Sequence, residues 1–141
     1  MIKIDMQSTA KFQQNKGKVF NYLANRGVDN QNYLEIIKNY PFGLLADNIF
    51  YIGEMVSGYE YTLEYFFSDI ATICPDIETV NKNLQTDSGD ILSIANVYGE
   101  DIICMNIKTG EILLWELESG NGDMIHIAKD IKEFIAMIIY K

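Results

Sequence analysis

One stretch, residues 89–116, GDILSIANVYGEDIICMNIKTGEILLWE, limits the possible folds more than any other part of the chain. Three short Ile-rich runs, 91–95, 102–106 and 111–115, are separated by Tyr98-Gly99-Glu100-Asp101 and Lys108-Thr109-Gly110. Both connections carry the Gly and polar residues that hairpin turns require, so the stretch predicts a three-stranded antiparallel meander. Its strands are largely apolar on both faces, which places them at the centre of a sheet covered by helices on at least one side.

The rest of the chain can be arranged around that meander. Ser8 or Thr9 can cap a first helix reaching about Arg26, with Phe12, Val19, Phe20 and Leu23 near one face and Gly27 suited to the left-handed residue past its end. Asp29 is a candidate cap for a second helix, in which Tyr33, Ile36, Ile37 and Tyr40 follow amphipathic spacing until Pro41 stops it. Residues 49–52 predict a short strand, and 59–67 alternates, with Tyr59, Tyr61, Leu63, Tyr65 and Phe67 on one face and Glu60, Thr62 and Glu64 on the other. Ser68 and Asp69 offer caps for a helical turn over 70–74, and Asp76 can start a short helix carrying Ile77, Val80 and Leu84. After the meander come a polar loop over 118–123, an apolar run over 124–128, and a last helix capped by Asp130 with Glu133 in capping-box spacing. Ile131, Phe134, Ile135, Ile138 and Ile139 form its apolar stripe. The class is therefore α+β: residues 1–141 form a single domain, an antiparallel β-sheet with a central meander, helices packed on it and a C-terminal closing helix.

Composition excludes several functions. A chain of 141 residues with 48% hydrophobic residues and only two prolines suits one compact domain. Its start lacks the pattern of a signal peptide, and no apolar run approaches the roughly 18 residues of a membrane span, so a cytoplasmic location is expected. Cys74 and Cys104 have neither metal-ligand nor redox spacing and read as buried free thiols. Charge is uneven. Between Asp47 and Asp123 there are 15 acidic residues against Lys82 and Lys108, a net of −13 in a chain whose total is −9, so the flanks carry +4. That field repels nucleic acid and anionic lipid and favours a basic partner, although solubility alone explains it equally well.

Catalysis has few supports. His126 is the only histidine and alternates with Ile125 and Ile127 in a strand pattern, which suits a surface or hydrogen-bonded structural residue. No nucleophile elbow, phosphate loop, dinucleotide fingerprint or zinc-binding helix occurs. Glu100-Asp101, or Glu60 with Glu64, could pair for acid–base work or hold a divalent cation, but neither has calcium-loop spacing, and a solvated acidic face explains them as well. No metal or cofactor is expected. Among nine tyrosines and one tryptophan, Tyr98 falls in a turn and Trp115 near a strand end, positions from which an aromatic side chain can anchor a protein partner.

The order of elements and the local patterns together resemble the SUKH superfamily, the Smi/Knr-type domain shared by a yeast cell-wall-synthesis regulator and many bacterial immunity proteins. The residues that carry the resemblance are the 91–95 strand, Gly99-Glu100-Asp101, Cys104-Met105-Asn106, Gly110, the 112–115 strand and residues 127–135, IAKDIKEFI. Asn106 stands where the family commonly has Asp. The resemblance implies a non-enzymatic binding domain, in bacteria most often an immunity protein that binds and neutralises a cognate toxin, commonly a nuclease. On that reading the contacts are Glu60, Glu64, Tyr98, Glu100, Asp101, Trp115 and Glu116, since an acidic inhibitor complements a basic groove. A regulatory or scaffold module could use the same surface, and a carboxylate-based metal-dependent enzyme is the third possibility.

Overall fold

A computed structural model describes residues 16–39, 48–52, 59–67, 76–99, 101–117 and 122–140. Four helices, α1 (Lys16–Asn25), α2 (Gln31–Asn39), α3 (Ile77–Asn83) and α4 (Ile131–Met137), accompany seven strands. The strands are β1 (Asn48–Ile52), β2 (Tyr59–Phe66), β3 (Ile91–Val97), β4 (Asp101–Asn106), β5 (Ile112–Trp115), β6 (Met124–Ala128) and β7 (Ile139–Tyr140). They form one antiparallel sheet in the order β6-β5-β4-β3-β2-β1-β7, so the predicted meander, β3-β4-β5, is its middle.

The sheet must curl. Laid flat, six spacings would separate β6 from β7 by about 29 Å. The chain between Ala128 and Ile139 includes α4 and reaches at most about 26 Å even if every step lay on one line. A direct sign of curling is the hydrogen bond that Tyr61 Oη donates to Glu116 Oε2 at 3.4 Å, because β2 and the end of β5 are three strand spacings apart. The helices cover one face over most of its described length. Leu63, Leu92, Ala95, Val97, Ile103, Met105, Ile112, Leu114 and Ala128 share it and are all inaccessible to solvent, packed with Val19, Leu23, Tyr33, Ile37, Ile131 and Phe134 from α1, α2 and α4. On the other face Ser93, Ile102 and Cys104 are also buried, whereas Leu113 and Trp115 are half-buried and Met124 and His126 exposed.

Helix ends follow local chemistry. Past α1, Gly27 takes φ +79°, and the bonds Gly27 N–H to Ala24 O and Val28 N–H to Leu23 O satisfy two terminal carbonyls while Leu23 and Val28 both enter the core. The cap of α2 is Asn30, not Asp29: Asn30 Oδ1 accepts from Tyr33 N–H at 3.1 Å, one residue further along than the sequence pattern placed it. Asp76 and Asp130 cap α3 and α4 as expected, accepting from Thr79 N–H and Glu133 N–H. The stripe of the last helix ends early, at Met137, and Ile138 is already extended. Ile139 and Tyr140 pair instead with β1, where an edge ladder offers β-branched residues hydrogen bonds that a last helical turn does not. The remainder of the expected first helix, Tyr40, and the helical turn over 70–74 lie outside the described residues.

Strand β2 also departs from simple alternation. Leu63 pairs with Val97 but Tyr65 pairs with Asn96, so Glu64 is an extra residue. This bulge moves Tyr65 and Phe67 to the face opposite Leu63, where their rings meet edge to face at 5.7 Å, and puts Phe66 on the covered face.

Helix α3 docks through a buried polar cluster. Beyond Phe67, β2 no longer accompanies β3, and the carboxamide of Asn81 takes its place: Oδ1 accepts from Ser93 N–H at 2.8 Å and Nδ2 donates to Ser93 O at 3.1 Å. Nδ2 also donates to Ile77 O, Oδ1 accepts from Thr86 Oγ1, and Thr86, Ser93 and Cys104 continue the chain of contacts. Arg26, the only arginine, holds the loop into β3 by donating to the carbonyls of Thr86, Gly89 and Ile91.

Three outcomes follow from this packing. Asn81→Ala strands Ser93 N–H and C=O without partners in the core and should lower unfolding free energy by on the order of 3 kcal/mol, against about 0.5 kcal/mol or less for exposed Asn83→Ala, by urea titration. Tyr33 is fully buried and its hydroxyl has no hydrogen-bond partner among the described residues; Tyr33→Phe should raise stability by roughly 1 kcal/mol. Burial pushes the Cys104 thiol up to about 12, opposed by its contact with Ser93. The folded state thus keeps a proton that the unfolded state releases from about pH 9, so this group's contribution to stability is present below that pH and lost as pH rises towards 12. In a Cys74→Ser chain, Cys104 should react with an aromatic disulfide reagent at pH 8 only as fast as the protein unfolds.

Candidate functional site

The ladder aligns one row across β2, β3 and β4 and on to the ends of β5 and β6. Leu63 of β2 faces Val97 of β3, Val97 faces Asp101 of β4, and one step past the Ile102–Trp115 pair lies Glu116, which bonds through its own N–H to Asp123 O. Of the seven predicted contact residues, Glu60, Glu64, Tyr98, Asp101, Trp115 and Glu116 fall on or beside this row, at one end of the sheet. Glu100 lies outside the described residues.

Their environments differ. Tyr98 projects from the β3–β4 turn with 74% of its surface exposed, its backbone N–H donating to Thr62 O at 2.8 Å, so an exposed aromatic ring sits on an anchored backbone. Glu60 is exposed on the face opposite Leu63. Glu64, at the bulge, is half-buried and accepts from Asn96 Nδ2. Glu116 is half-buried beneath the Tyr61 hydroxyl. Trp115 is half-buried on the open face, and its indole N–H donates to Gly122 O at 3.1 Å.

That last bond meets a bulge at the start of β6. Gly122, at φ +80°, donates its N–H to Glu116 O while Glu116 N–H bonds to Asp123 O, the arrangement of a bulge whose first residue is left-handed. A side chain at 122 would be strained there, and the bond to Gly122 O ties the indole to the start of β6.

Asp101 must be withdrawn from the contact set. It is only 3% exposed, because the strand begins one residue earlier than the turn pattern suggested and pairing with Val97 puts Asp101 on the helix-covered side. Conversely, two contributors escaped the sequence reading. His126 Nδ1 lies 2.7 Å from Glu111 Oε2 on the open face, and Met124 is exposed beside them. The alternation of residues 124–128 placed His126 on a strand, and it is hydrogen-bonded at the surface as expected, but nothing in the sequence announced Glu111 as its partner across the β5–β6 hairpin.

Electrostatically the sheet is one-signed. None of the seven strands contains a lysine or arginine, while Glu60, Glu64 and Asp101 lie within them. The two cations of the acidic segment are each beside a carboxylate, Lys82 with Glu78 at 3.2 Å and Lys108 with Asp90 at 3.5 Å. Both pairs are solvent-exposed and local, so neither cation offsets the field over the open face. Among the described residues no group of three His, Cys, Asp or Glu side chains converges as a metal site, and a shallow groove between α2 and α4, lined by Asn32, Ile36, Ile131, Lys132 and Ile135, holds no acid–base pair. Aromatic and apolar side chains thus gather near the β5–β6 edge, with the Glu111 carboxylate beside them. No helix among the described residues is long and apolar enough to cross a membrane. Comparison with protein-family models, with curated proteins and with solved structures finds no match to this chain.

Proposed function

We propose that the chain is a non-enzymatic protein-binding domain of the SUKH type, acting in the bacterial cytoplasm as an immunity protein that occludes a basic, nuclease-type toxin. The observation that carries this reading is the absence of lysine and arginine from all seven strands, with the two cations between Asp47 and Asp123 each beside a carboxylate. A nuclease groove is basic because it neutralises phosphates, so an acidic surface can occupy it, and opposite potentials steer the encounter. Tyr98 and Trp115 supply rigid aromatic area next to that charge, the residue types that dominate binding energy at protein interfaces.

The test is to mix the purified chain with the protein encoded beside its gene. A one-to-one complex is expected that inhibits the neighbour and weakens as salt rises from 50 to 500 mM. Tyr98→Ala and Trp115→Ala should each weaken it by about ten-fold or more, chiefly through faster dissociation. Glu60→Lys should act mainly on the association rate and flatten its salt dependence. A neighbour that forms no complex at low salt would sink the pairing.

A further inference from the structure

The sheet has two edges of different character. At one, β7 is two residues long. At the other, β6 runs five residues with β5 on its inner side and, among the described residues, no strand beyond it. Because Glu116 and Asp123 form a hydrogen-bonded pair, antiparallel alternation turns the N–H and C=O groups of Met124 and His126 outward, away from β5. The side chains of these two residues are exposed on the open face, next to half-buried Trp115 and Leu113. Sheet edges are ordinarily blunted by lysine, by proline or by a covering element. β6 has no lysine or proline, and among the described residues its one protective device is the bulge at Ile127, beyond the two outward-facing residues.

We infer that β6 is an acceptor edge for strand addition, and that its occupant is an extended, lysine- or arginine-bearing segment of a partner protein. Strand addition draws affinity from main-chain hydrogen bonds and specificity from alternate side chains. Here the Met124 and His126 backbones supply the bonds. On the open face the incoming side chains meet Met124 and His126, with Leu113 and Trp115 one strand further in and the carboxylate of Glu111 alongside, so alternate apolar and basic residues are matched. A second copy of the chain is a poorer occupant, because it would set a net charge of −9 against another −9 across a strand spacing of about 4.8 Å. This inference rests on the protein-binding reading above and names its mode.

The experiment uses the full chain and a synthetic nine-residue peptide of alternating lysine and valine. Two comparison peptides accompany it, one with every second amide N-methylated along its docking edge and one with glutamate in place of lysine. The readouts are amide hydrogen exchange of β6 and the fluorescence of Trp115, the single tryptophan. The expected result is saturable binding of the lysine peptide that slows exchange at Met124 and His126, with at least about ten-fold weaker binding of the N-methylated and glutamate peptides. Equal binding of the N-methylated peptide, or no slowing at Met124 and His126 with millimolar lysine peptide, overturns the proposal. Concentration-dependent slowing at β6 without any peptide, accompanied by a dimer in sedimentation, overturns the choice of occupant. Failure here is separable from failure of the immunity reading. A neighbour-encoded toxin that binds and is inhibited, yet leaves β6 exchange unchanged and binds His126→Pro equally well, rejects strand addition alone, whereas peptide binding at β6 without any toxin complex rejects only the pairing.

Discussion

The junction between the helical layer and the sheet depends on the carboxamide of Asn81. A strand in the middle of a sheet needs hydrogen-bond partners along both sides, and β3 loses one side where β2 ends at Phe66. A primary carboxamide has the same donor and acceptor groups as a peptide bond, so Asn81 continues the ladder from a helix by bonding both Ser93 N–H and Ser93 O. Because the same side chain also bonds Ile77 O and Thr86 Oγ1, α3, the loop after it and β3 are fixed relative to one another. Arg26 then ties α1 to the same loop through three carbonyls. In a buried setting these bonds contribute only modestly when complete, but an incomplete set is expensive, so the cluster selects one docking geometry over its neighbours.

Much of the fold was readable because the relevant signals are local. The meander turns, the caps at Asp76 and Asp130 and the glycine past α1 each act through residues within a few positions of one another. Asn106 shows the same locality: its side chain accepts from Lys108 N–H and Thr109 N–H, closing the β4–β5 turn. What could not be read depends on partners far away in sequence. A bulge at Glu64 exists only relative to β3, so residues 59–67 by themselves offer perfect alternation and give the wrong face for Tyr65 and Phe67. The end of α4 is similar. Ile138 and Ile139 continue the helical spacing, and only the open edge of β1 draws the chain into a strand.

The candidate site divides along the same line. Tyr98 is exposed because a two-strand hairpin must present its turn, and that follows from sequence. Asp101 looked equivalent, being polar and adjacent to the turn, yet one extra residue of ladder carries it to the covered side. Trp115 and Glu116 were found through residue type and position, but their settings come from a glycine bulge at Gly122 and from Tyr61, 55 residues earlier. Composition signalled the sign of the surface; the register decided which carboxylates can reach a partner.

Charge links that surface to the safety of its edge. A protein that leaves a backbone ladder open for another chain risks pairing with itself, and lysine on the edge strand is the usual deterrent. In this chain the deterrent is distributed: strands without a single lysine or arginine and an acidic segment of net −13 make any like pairing repulsive while leaving the hydrogen-bonding edge intact. At physiological ionic strength such repulsion acts over roughly 8 Å, ample for two strands at hydrogen-bonding distance and too short to hold molecules apart in solution. A basic segment meets no such barrier. On the proposed strand-addition reading, the field that opposes pairing between copies would also sort partners by sign, with the apolar strip of Leu113, Trp115 and Met124 acting on those that approach.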